Sequence, residues 1–211
     1  LLTAAPLVML GAAEYAMRQP GARPLAELCA LVALGAFVLQ LSAFHSIFTL
    51  RDSPHAFLAW AALGLALGHG HAFRGPGLAG GALSAWWLVT MLAEAMGGTW
   101  RDPLRVPEHA VVVGFVLFAL GLLARLGPRE MPPLYRLVGL LVAFVPMLLL
   151  STSGDLSGLG LSRRTVEILF QLLTLATSVV VIVLGVRRGW RETLLIGSGE
   201  EQGARLTVDG R

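Results

Sequence analysis

The chain has 211 residues, 55% of them hydrophobic and 14% charged, with 16 basic against 13 acidic side chains, whereas a soluble domain carries roughly 25% charged residues. Every basic residue is arginine, so a retinal or pyridoxal-phosphate Schiff base and a Walker-type phosphate loop are excluded, since each needs a lysine amine. Cys29 is the single cysteine, which excludes an intrachain disulfide, a paired-thiol redox site and a thiolate zinc cluster.

About seven apolar runs follow one another, near 1–17, 24–48, 54–73, 76–97, 107–126, 132–151 and 165–187, each close to the roughly 20 residues that cross a bilayer. Five of the seven open on proline: Pro24, Pro54, Pro76, Pro107 and the pair Pro132-Pro133. In a first helical turn the missing N–H costs nothing and the fixed φ already suits a helix. The expected fold is therefore all-α, a polytopic membrane helix bundle over 1–188 with short antiparallel connections. Residues 189–211 are polar and Gly-rich, as expected of an interfacial turn near Trp190 to Ile196 and a cytoplasmic tail. The apolar opening at Leu1-Leu2 leads us to expect residues upstream.

The first run carries Pro6, read as a kink, and ends near Glu14 and Arg18. Glu27 opens the second run beside Arg23, and ion pairing across the intervening turn is the simple expectation. Gln40 to Trp60, QLSAFHSIFTLRDSPHAFLAW, is the tip of a hairpin with polar residues inside or beside apolar runs. Asp52 or Ser53 can cap the helix that Pro54 opens. Gln40 and His45 lie five apart, about 140° around a helix of 3.6 residues per turn, so capping does not account for both.

The stretch Pro24 to Met96, through Phe44-His45, Arg51-Asp52 and Phe57-Leu58-Ala59-Trp60, resembles a bacterial inner-membrane family, the domain-of-unknown-function 2157 group. Ser42-Ala43 stand where that family has glutamine, and Arg51 stands where it has glycine. The resemblance implies an N-terminal cytoplasmic portion and a helix before Leu1. It implies no activity and no catalytic residue.

GHGHAF at Gly68 to Phe73 places two histidines two apart, about 200° around a helix, so both rings meet one ion only if the glycines break the helix. Gly64-x-x-x-Gly68 and Gly77-x-x-x-Gly81, on consecutive helices, read as packing surfaces. Pro146 lies inside the sixth run and is expected to kink it.

Arginines near the helix ends favour one face by nine (18, 23, 74, 125, 129, 136, 187, 188, 191) to five (51, 101, 105, 163, 164). Positive charge is retained in the cytoplasm, which places the C-terminus inside and the His45–His55 tip outside. His45, Asp52, His55, Glu94, Glu108, His109, Asp155 and Glu167 then share the outer face. Such a set can bind a divalent cation, with His45 and His55 as candidate ligands, or relay protons. Equally, polar residues collect at any wet helix end. Glu167, Gln171, Thr174 and Ser178 form one polar stripe on the last helix, lining a solute path or packing against another helix.

Two functions stay open on this reading. In one, His45, His55, Glu94, His109, Glu167 and Gln171 bind a small solute, cation or proton for transport or as an accessory to it. In the other, the chain is a structural or sensory subunit packed in the lipid bilayer against a partner membrane subunit or a second copy. A membrane enzyme would need paired acids or an activated nucleophile, and no local motif supplies one. Scattered arginines form no patch for nucleic acid.

Overall fold

A computed structural model describes residues 4–47, 53–97, 105–123 and 131–188. These form seven α-helices: α1 (Ala5–Met17), α2 (Arg23–Ile47), α3 (His55–His71), α4 (Arg74–Ala95), α5 (Glu108–Leu123), α6 (Met131–Thr152) and α7 (Arg163–Arg188), with a 3-10 turn at Gly154–Leu156 before α7. The prolines occupy the first turns as expected. Pro6 belongs with them: it stands at the start of α1, so it opens that helix and does not kink it. Pro146 lies inside α6, which runs through it.

Four helical segments are long and apolar enough to cross a membrane: Arg23–Phe44, Arg74–Ala95, Pro132–Thr152 and Arg163–Arg187. The expected seven spans are therefore corrected to seven helices with four of spanning length among the described residues. α1, with 13 residues, and α5, with 16, fall short, and so does α3. Its 17 residues rise about 26 Å at 1.5 Å each, against a hydrocarbon core of about 30 Å. Ala72 ends it in the left-handed region, at φ 55°. The Arg23 guanidinium holds that conformation by donating to the Ala72 carbonyl at 3.1 Å, and the Glu27 carboxylate accepts the Gly75 amide that opens α4. Glu27 thus serves a helix N-terminus, where negative charge is favoured. Glu14 pairs within its own helix, 3.7 Å from Arg18.

The helices pack as antiparallel hairpins, α1 with α2, α3 with α4 and α5 with α6, and α7 lies on α6; α4 touches α2, α3, α5 and α6. Small residues make the closest crossings. A Cβ on Gly64 would lie 2.8 Å from the Gly80 Cα, and one on Gly139 would lie 2.8 Å from the Phe118 Cα. Backbones approach this closely only where side chains are absent. Gly64, Gly68, Gly77 and Gly81 are all buried, as expected of packing surfaces; Gly64 faces Gly80, whereas a Cβ on Gly81 would make only an ordinary 3.4 Å contact with Val138. The α5–α6 crossing at Gly114 and Gly139 had no motif to announce it.

Three apolar clusters fill the interior. Ala13, Ala16, Ala26, Ala30, Leu67 and Phe73 join α1, α2 and the end of α3. Ala85, Val89, Ala110, Val113, Leu117 and Val138 join α4, α5 and α6. Val111, Ala143, Met147, Leu150, Val166 and Phe170 join α5, α6 and the first turns of α7. No described residue of α7 after Phe170 is buried.

Candidate functional site

The hairpin order brings the ends of α2, α4 and α6 together with the starts of α3, α5 and α7. At this end the segment 153–162 crosses from α6 to α7 as a strap, and two carboxylates fasten it. Glu108, the first residue of α5, accepts the Ser157 hydroxyl and, at 3.1 Å, the Gly158 amide. Glu167 on α7 accepts Arg163 Nε at 2.7 Å and the Gly154 amide at 3.5 Å, and Asp155 lies 4.0 Å from Arg163. Gly160 turns the strap at φ +66°, a conformation that glycine adopts without steric cost. Ser162 then caps α7, its hydroxyl accepting the Thr165 amide at 3.3 Å.

Beside this strap sits His109. Its side chain is 7% exposed, and its Nε2 lies 3.1 Å from the Met96 sulfur at the C-terminus of α4. His109 Nδ1 and Glu108 Oε2 are buried with no hydrogen-bond partner among the described residues. Thioether sulfur only accepts, and weakly. If Nε2 carries the proton, Nδ1 is a bare lone pair enclosed by protein; if Nδ1 carries it, the Nε2 lone pair faces sulfur. Neither tautomer satisfies the ring. Buried polar groups are nearly always paired, so these two adjacent atoms, like Trp60 Nε1 and Trp87 Nε1 elsewhere among the described residues, call for an explanation.

The other expected site residues divide. Glu167 is engaged with Arg163 and the strap, and Gln171 donates to the Ser151 carbonyl at 3.1 Å; both lie on the α6–α7 seam at the same end. His55 and Glu94 are exposed. The His55 amide donates to Ser53 Oγ at 3.3 Å, but the cap position of α3 is Pro54, with no side-chain cap hydrogen bond, so Ser53 is not the N-cap. The His45 side chain, Arg51 and Asp52 lie outside the described residues, as do 189–211 and with them the interfacial turn. Among the described residues, no three His, Cys, Asp or Glu side chains gather closely enough to hold a metal ion. Along the α7 stripe, Thr174 and Ser178 donate back to the carbonyls of Phe170 and Thr174 at 2.7 and 2.8 Å.

At the opposite end the GHGH pair separates as its spacing predicts. His69 Nδ1 donates to the Leu65 carbonyl at 2.9 Å, which leaves Nε2 to accept the Tyr135 hydroxyl at 3.2 Å. His71 stacks on Phe73, with ring centroids 5.4 Å apart. Two imidazoles committed to different neighbours do not form one ion site.

Sequence reasoning missed Met96, because carboxylates and imidazoles were sought and a thioether at a helix end reads as an apolar residue. It missed the His69–Tyr135 bond because nothing local links α3 to α6.

No family model matches the chain, and comparison with curated proteins and with solved structures gives no match.

Proposed function

We propose that the chain is a multi-pass membrane protein that binds a small cation at the α4–α5 corner, centred on His109, as part of a transport or transport-accessory function. The observation that carries this reading is the unsatisfied, buried imidazole of His109 beside the equally unsatisfied Oε2 of Glu108. A buried imidazole nitrogen and a buried carboxylate oxygen that lack hydrogen-bond partners are costly, and such groups call for a reason. Glu167 and Gln171 hold the neighbouring seam, and the strap covers it. The arginine bias supports an orientation with this corner outside and the C-terminus in the cytoplasm. The family resemblance of Pro24 to Met96 supports a bacterial inner membrane and adds no activity.

The test is equilibrium binding to the whole chain in detergent, using Zn(II), Mg(II), Ca(II) and Cu(I) one at a time, for the wild type and His109→Gln. Saturable binding of at least one ion is expected, weakened about tenfold or more in the variant, the scale on which metal sites lose affinity when one supporting group is removed. Identical binding by both proteins, or no binding by either, removes this reading. It would favour the second reading, a subunit that meets a partner through α7. That reading is supported by the exposure of Leu172, Leu175, Val179, Ile182 and Val186 on a helix that, among its described residues, is buried only at Val166 and Phe170.

A further inference from the structure

We infer that His109 Nε2 and Met96 Sδ are the two donors of a site for a soft monovalent cation, Cu(I) or Ag(I); the inference rests on the cation reading above and names the ion class. The nitrogen and the sulfur come from different helices and point at one another across 3.1 Å. As a hydrogen bond this contact is poor, because sulfur is a weak acceptor. As a pair of ligands it is well matched: thioether and imidazole are both donors that copper accepts, and thioether selects Cu(I) over magnesium, calcium and other hard ions.

Charge points the same way. Both donors are neutral, which suits a monovalent ion, whereas a hard divalent ion needs several carboxylate or carbonyl oxygens. At this corner the Glu108 Oε1 is already taken by Ser157 and Gly158, and no group of three His, Cys, Asp or Glu side chains is present among the described residues.

Exposure gives a route for the ion. His109 is 7% exposed and Met96 is 69% exposed, so one donor is fixed in the wall and the other stands at the surface. Seating an ion between them requires the two atoms to part by about 1 Å, and the three rotatable bonds of methionine absorb that without moving a helix.

The test is anaerobic titration of the whole chain in detergent with Cu(I), with bicinchoninate as the coloured competitor. Every protein carries Cys29→Ala, so that the only thiol does not bind copper. One equivalent of Cu(I) is expected for this parent, with affinity lowered about tenfold or more by Met96→Leu and by His109→Gln. Met96→Leu nearly conserves volume at an exposed position, and an unchanged elution profile checks its fold. Absence of Cu(I) binding in the parent, or equal binding in Met96→Leu, overturns the inference. His109-dependent binding of Zn(II) or another ion in that case leaves the cation reading in place; its absence removes both.

Discussion

Gly139→Ala is expected to destabilise the detergent-solubilised protein by roughly 2–3 kcal/mol, the range for forced overpacking in a well-packed core. The new Cβ would lie 2.8 Å from the Phe118 Cα, with the Phe118 backbone nitrogen nearer still. Those are main-chain atoms, so no rotamer change relieves the clash and α5 and α6 must move apart. Gly114 makes the reciprocal contact, against Ala143 and the Gly139 carbonyl. Separating the helices loosens both clusters that α5 shares with α6. Gly81→Ala is the control, since its Cβ meets only the Val138 side chain at 3.4 Å, and it is expected to melt with the wild type. Thermal unfolding followed by size-exclusion fluorescence checks the pair. Equal melting of Gly139→Ala and wild type would mean that α5 and α6 do not cross as described.

Glu108→Ala is expected to cost about 2 kcal/mol, the scale of hydrogen bonds to a charged group whose loss leaves donors unpaired. The effect should be local. The Ser157 hydroxyl and the Gly158 amide lose their acceptor, while the apolar cluster of α4, α5 and α6 is untouched. Hydrogen exchange is therefore expected to rise across 153–162 and to stay unchanged in α5 and α6. Glu108→Gln keeps one carbonyl acceptor and should show a smaller rise. A strap that exchanges at the same rate in all three proteins is not held by Glu108.

Much of the fold was legible because the apolar runs are long and sharply ended. A long apolar run ended by Pro, Gly or Arg leaves few alternatives, and the runs 24–48, 132–151 and 165–187 match α2 (Arg23–Ile47), α6 (Met131–Thr152) and α7 (Arg163–Arg188) within two residues. Span number was less legible. The run 54–73 counts Pro54, Ala72 and Phe73 as apolar, although the helix itself is His55–His71, and hydropathy does not see a left-handed Ala72. Crossings were not legible at all: glycines at 114 and 139 become partners only through the α5–α6 geometry.

For the site, chain order and helix alternation placed His109, Glu167 and Gln171 at one end. They did not reveal that Glu108 and Glu167 each commit Oε1 to the strap, or that Met96 lies against His109. Such contacts depend on rotation of each helix about its axis, which polar residues at helix ends constrain weakly.

The account stands on the bundle crossing a membrane with the strap on one side and the α1–α2 turn on the other. Single cysteines at Gln19 and Leu159, in a Cys29→Ala background, test this with an impermeant thiol reagent added to intact cells. Leu159→Cys is expected to label at once and Gln19→Cys only after the membrane is opened; labelling of both without permeabilisation, or the reverse order, would contradict the account.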